Sequence, residues 1–201
     1  MATNNSLNNR SNSLNINGAY SLPTVDGSNT YVLSTNGSGT VSWVSPTLVG
    51  FVLQSVENST SSVIDANVAI PFDNTKPQNT EGVEVITITI TPKSATNLLR
   101  ITYLMCGNAQ SGSSNLTLTA AFFQDSTANA LFTAYTHSSA SSPASMSGTF
   151  FFTAGTTSAT TIKMRLGLEN TTSFFVNGNA SGNPVFNGTS KCIISIQETK
   201  V

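Results

Sequence analysis

The feature that most constrains this chain is an alternation of apolar and polar residues with a period of two, repeated in many short runs. In residues 84–91, Ile86, Ile88 and Ile90 fall on one face and Thr87, Thr89 and Thr91 on the other. Pro92 then ends the run, because it cannot donate to a strand ladder. Leu99, Ile101, Tyr103 and Met105 form the apolar face of the next run, opposite Arg100 and Thr102. Residues 116–123, 149–153 and 161–168 follow, and residues 191–198 place Cys192, Ile194 and Ile196 on one face. This pattern predicts antiparallel sheets with one face buried. Eight or more such runs in the last three-quarters of the chain predict an all-β, jelly-roll-like antiparallel sandwich. Residues 128–135 are expected to form an edge strand.

Composition supports very little helix. Ser, Thr and Asn make up about two-fifths of the 201 residues, and only 8% are charged. Thr suits a pleated surface, whereas Asn and Ser favour turns. With a formal net charge of −1, nothing draws the chain to a phosphate backbone, so nucleic acid is excluded as a partner. An apolar fraction of 38% with eleven Phe is enough for a core. No run approaches the roughly 20 apolar residues of a membrane span, so membrane insertion is not expected. Residues 1–10 lack the apolar stretch of a secretory leader, and the expectation is synthesis in the cytoplasm. Cys106 and Cys192 allow only one pairing; buried free thiols are the expected state, and the sequence leaves the pairing open.

Three regions follow from this pattern: an Asn/Ser-rich tail over 1–19, a short stalk over 20–50, and a sandwich head over 51–201. The tail cannot offset its own ordering entropy and is expected to order on a neighbouring protein. In the stalk, two β-like pieces, 31–33 and 41–44, sit among the turn signals Asp26-Gly27 and Asn36-Gly37-Ser38-Gly39. This segment is too small for a core, so Trp43, the only tryptophan, needs a partner surface. Phe150-Phe151-Phe152 and Phe174-Phe175 break the alternation and point to both faces of a strand. They join Trp43 as expected subunit-interface residues.

Tests for chemistry give no site. The single histidine, His137, lies in a Ser-rich segment without an orienting acid, so a Ser–His catalyst has no third member. One His and two distant Cys do not make a zinc site. Three-fold symmetry could gather three copies of His137, but the chain alone supplies no ligand set. The acidic residues between Asp65 and Glu84, with Asp73 and Glu81, lack the spacing of a calcium loop. The Gly-rich pieces carry no P-loop Lys. No enzyme activity, cofactor or metal is therefore expected.

Residues 22–27 (Leu-Pro-Thr-Val-Asp-Gly), with Tyr31 to Gly39 and Val41-Ser42-Trp43, resemble the stalk segment "LPTxDGxxGQVLxTDGxGxxxW" of phage tail fibres and viral fibre proteins. The chain departs from that pattern at Asn29-Thr30. Residues 70–82, 90–97 and 121–130 are similar to a globular domain at the ends of phage-type fibres. The resemblance implies a homotrimeric fibre or spike on a virion, mounted through its N-terminus on other virion proteins. The head would contact a host-surface receptor, a glycan or a protein. Neutral loops suit sugar hydroxyls, and the candidate contacts are Gln110, Ser113, Asn115, His137, Ser142, Asn177, Asn179 and Asn183. Alternatives are a capsid decoration or vertex protein without a receptor, a polysaccharide-cleaving spike, and a cellular adhesin or lectin-like module.

Overall fold

The computed structural model describes residues 15, 16, 20–45, 50–113, 115–139 and 142–201. Most of the expected tail, and positions 46–49 of the expected stalk, lie outside the described residues. The chain divides into two compact units, residues 1–48 and 49–201.

The first unit holds four short strands: β1 (Asn15–Ile16), β2 (Tyr20–Ser21), β3 (Val32–Thr35) and β4 (Val41–Val44). β1 pairs with β2 and β3 with β4, both antiparallel. The β3–β4 turn follows from its residues. Gly37 and Gly39 take positive φ (77° and 84°), where Cβ-bearing residues are strained. The Asn36 Oδ1 accepts the amides of Ser38 and Thr40 at 2.9 and 3.2 Å. The Trp43 indole donates from Nε1 to the Val25 carbonyl at 2.9 Å. Its ring lies where a Cβ on Gly27 would fall, 2.5 Å from the nearest ring carbon. None of the described residues 20–45 is buried.

The second unit is an all-β sandwich. Its strands are β5 (Val52–Thr60), β6 (Ile64–Ala66), β7 (Val83–Ile90), β8 (Leu98–Ala109), β9 (Leu116–Gln124), β10 (Phe132–Ser138), β11 (Pro143–Thr153), β12 (Thr160–Leu168), β13 (Phe174–Val176) and β14 (Cys192–Thr199). One sheet runs β10-β9-β12-β7. The other runs β5-β14-β8-β13-β6, with β11 on the far edge of β8. β13 and β14 lie end to end along β8, against its residues 107–109 and 98–104. β6 and β5 lie end to end beside them. Counting each such pair as one arm leaves eight arms, paired first with eighth, second with seventh, third with sixth and fourth with fifth. That is a long hairpin rolled on itself, a jelly roll.

The inner faces are those the alternation indicated. Ile86, Ile88, Ile90, Leu99, Ile101, Tyr103, Met105, Ile162, Met164, Leu166, Ile194 and Ile196 all belong to one buried cluster. The edge strand expected over 128–135 is β10, which begins at Phe132 and pairs only with β9. β9 departs from one-face burial, since Leu116 through Phe123 are all buried. The cause is the 67–82 connection, which crosses the outer side of its sheet. Ile70, Ala121 and Phe123 form a second small core there, with Ala130 packed on it. The strap is held by Ile70 N to Leu168 O (2.9 Å), Asn79 N to Ala128 O (2.8 Å) and Ala130 N to Pro77 O (2.9 Å). The Arg165 guanidinium donates to the carbonyls of Glu81 and Gly82, both at 2.7 Å.

At the end where the chain enters and leaves the sandwich, Glu198 is fully buried. Its Oε1 accepts the amides of Lys93 (2.8 Å) and Ser94 (3.3 Å) and the Asn97 side chain (2.6 Å); its Oε2 accepts Gln54. Burial pushes this carboxyl up. The bonds from Asn97, Gln54, Lys93 and Ser94 outweigh burial and hold it below the ordinary glutamate value. The carboxylate thereby ties β14 to β5 and to the β7–β8 loop. Both cysteines are free. Cys192 faces the core, while Cys106 approaches the Ser190 hydroxyl at 2.9 Å. Burial, reinforced by the charge of Cys106, pushes the Cys192 thiol up to about 12.

Two outcomes test this account. In Gly167→Ala the new methyl would lie 2.4 Å from the Val68 carbonyl oxygen; a stability loss of about 2–3 kcal/mol in urea unfolding is expected. The folded Glu198 carboxyl titrates below its unfolded value, so its stabilisation is complete above the unfolded pKa and is lost as pH falls through the folded one. Glu198→Gln should lose about 2 kcal/mol at pH 7 and show a flatter fall in Tm below about pH 4.5 than the native chain.

Candidate functional site

Strand alternation sorts the connections of the head between its two ends. The β8–β9 loop, the β10–β11 turn and the β12–β13 loop share one end; the entry at Val52 and the Glu198 network share the other. The residue types at the first end build tight, self-bonded loops. The Gln110 amide donates to Ser173 O at 2.9 Å, and the Ser111 amide to Ala180 O at 3.1 Å. The Asn108 side chain donates to Gly178 O at 3.0 Å. The 110–115 loop is therefore joined to the 177–191 excursion between β13 and β14. The Pro143–Asn108 pairing brings Ser142 to the same end, where its amide donates to Ser139 O at 3.2 Å.

The candidate residues divide on this frame. Gln110, Asn115, Ser142 and Asn183 are exposed. His137 is exposed on the outer face of β10, paired opposite Thr117. Ser113 is half-buried, and its hydroxyl has no hydrogen-bond partner among the described residues. Asn179 spends its Oδ1 on the amides of Ser181 (2.9 Å) and Asn183 (3.0 Å). Asn177 is not a surface contact. It is 2% exposed, takes φ +57°, and donates to the carbonyls of Thr60 (2.9 Å) and Ser62 (3.2 Å). An Asn needed to hold a left-handed bend has the same letter as one offered to a ligand, and the sequence could not separate them.

The aromatic candidates divide as well. Phe174 and Phe150 belong to the core of a single chain, which corrects the expectation that both serve a neighbouring subunit. Inward-facing positions on β13 and β11 claim them first. Phe152 packs against the same core, and Phe175 and Trp43 are half-buried. Phe151 keeps 59% of its surface exposed. It shares the uncovered outer face of the β8 sheet with exposed Leu104 and half-buried Ile193.

Sequence reasoning passed over one aromatic pair. Phe72 from the strap and Tyr135 from β10 have ring centroids 5.3 Å apart, tilted by 57°, yet they are 58% and 64% exposed. The signal was available, because Tyr135 lies in the polar register of its strand, between Thr133 and His137. The acidic residues of the strap are engaged locally. Asp73 Oδ1 accepts the Thr75 hydroxyl (2.6 Å) and amide (2.7 Å), and these two bonds lower its carboxyl below the usual aspartate range. Glu81 accepts the Gln78 amide at 3.0 Å. Among the described residues no three His, Cys, Asp or Glu side chains gather as a metal site. No described helix is long and apolar enough to cross a membrane. An open cleft of about 430 Å³ at the entry end is lined by Leu53, Lys93, Ser94, Thr96, Asn97, Lys200 and Val201.

No family model and no curated protein matches the chain. Among solved structures, the CBM22-1 xylan-binding domain of Paenibacillus barcinonensis Xyn10C is similar at 10% identity and a TM-score of 0.35, over 76% of this chain and 97% of that one. Infectious bursal disease virus, Gx strain, is similar at 10% identity and 0.35, over 80% of this chain and 39% of that one. A pilus protein of Bacillus endospore appendages is similar at 15% identity and 0.26, over 73% and 89%. These are distant similarities among β-rich proteins and identify no family.

If Asn177 is structural, Asn177→Ala will lower stability by about 2–3 kcal/mol, read as a shifted urea midpoint. Gln110→Ala and Ser142→Ala will leave the midpoint within about 0.5 kcal/mol of the native chain.

Proposed function

We propose that the chain is a non-enzymatic structural and adhesive subunit of a homotrimeric fibre or spike on a virion surface. The N-terminal segment mounts it on other virion proteins, and the head meets a host-surface receptor. One observation carries this reading: among its described residues, the first unit has exposed apolar side chains and none that is buried. Tyr31, Val32 and Leu33 are 40%, 47% and 46% exposed, and none of the described residues 20–45 is buried. A lone two-stranded hairpin is marginal in water. Copies wound around one another would give Val32, Leu33 and the Trp43 ring the cover that one chain lacks. Exposed Phe151 and Leu104 on the uncovered sheet face support a further contact between heads.

The head's neutral loops support contact without strong charge. The exposed ends of Gln110, Asn115, Ser142 and Asn183 offer amides and hydroxyls, which both donate and accept. They lie at the end of the sandwich opposite the one where the chain enters it.

Sedimentation equilibrium of the full chain tests the assembly. A mass of three chains at micromolar concentration is expected, with slow amide exchange in 31–44. A single-chain mass with those amides protected would overturn it.

A further inference from the structure

We propose that Phe72 and Tyr135 form a stacking platform for a neutral saccharide on the side of the head, apart from the loops at its tip. This deepens, and rests on, the reading of the head as an adhesive module. Two separate elements bring the rings together: the strap, fastened over β9 and β12, and the outer face of edge strand β10. Rings in mutual contact are ordinarily drawn together by burial, yet these remain more than half exposed. At a centroid distance of 5.3 Å and a tilt of 57°, each ring restrains the other while keeping a side open. They are therefore set before a ligand arrives, which reduces the ordering cost of binding.

The supporting residues favour a sugar. The face of an aromatic ring is electron-rich and attracts the weakly positive C–H bonds on one face of a pyranose. Next to Phe72, the Asp73–Thr75 turn fixes the strap through Oδ1, and Oδ2 has no partner among the described residues. A carboxylate oxygen beside a stacked sugar accepts a hydroxyl strongly. Thr133 and His137, exposed on the same face of β10 as Tyr135, add further hydrogen-bonding groups. The negative charge of Asp73 disfavours anionic sugars.

Area argues against a second copy of the chain at this spot. Taking ~150–250 Å² for a whole aromatic side chain and the exposures above, the rings offer roughly 200–300 Å². A stable protein interface takes about 800 Å² from each partner. Asp73, Asn74, Thr75 and Lys76, which follow Phe72, and Thr133 and His137, which flank Tyr135 on its face of β10, are all exposed and polar, so on those sides the apolar surface is confined to the rings and the adjoining Pro71. A patch of this size fits one or two sugar units.

The test uses the full chain and a panel of neutral oligosaccharides (cellohexaose, mannohexaose, maltohexaose and a galactohexaose) in calorimetric titration. At least one should bind in the micromolar to low-millimolar range. Phe72→Ala and Tyr135→Ala should each weaken it tenfold or more with unchanged Tm, Tyr135→Phe should retain most of the affinity, and Phe186→Ala, at an 81% exposed ring in the segment between β13 and β14, should leave it intact. No binding by any of the four at 10 mM overturns the platform, as does binding that survives both alanine variants. The subunit reading falls separately. Three chains by mass with no saccharide bound removes the platform alone; saccharide bound by a single-chain species removes the fibre alone.

Discussion

The two sheets of the head are held together by a knot of aromatic rings, and much of the remaining architecture follows from it. Phe122 of β9 sits between Tyr103 of β8 and Phe150 of β11, with centroids at 4.7 and 4.9 Å. Phe132 of β10 stacks on Phe150 at 4.4 Å. These contacts join both sheets through their largest side chains, in tilted and stacked arrangements that suit aromatic quadrupoles. With Phe122 pointing inward, the pleat sends Ala121 and Phe123 outward. Outward-facing Phe123 needs a cover, and Ile70 on the strap provides it. The strap in turn carries Phe72 to β10. A surface feature of the molecule is thus set by the orientation of one ring in its core.

Most of the sandwich was legible because its strands obey a rule with a period of two. β7, β8, β12 and β14 read directly as apolar-in and polar-out, and their inner residues are those buried. The rule fails where a second layer intervenes. In β9, Thr117 and Thr119 are buried although they stand in the polar register, and no local pattern announces the strap that covers Ala121 and Phe123. It fails again at Phe150 to Phe152, where consecutive rings resemble an interface although two of the three serve the chain's own core. The division of one strand position between β13 and β14, with a 177–191 excursion between them, was also hidden, because β13 is only three residues long and the interruption is rich in Asn and Gly.

The candidate site was legible only as a set of loops. Composition marked the neutral loops, and topology brings three of them to one end. Within them the sequence could not tell an amide that faces water from one that props up a bend. Asn177 and Asn179 serve the backbone, whereas Asn115 and Asn183 remain exposed. Nor did it mark Phe72, since whether an aromatic in a turn-rich segment is buried depends on an element distant in sequence.

The position of β14 bears on how the molecule is made. This strand fills the slot between β5 and β8, yet its residues are the last to be synthesised of any described strand. Until residue 199 has been made, the facing edges of β5 and β8 stand open, about 140 and 95 residues earlier in the chain than the strand that fills them. An emerging head is therefore a sheet with a missing middle, and its unmatched edges are open to similar edges on neighbouring nascent chains. Closure of the roll therefore waits on β14, the last of the described strands in chain order.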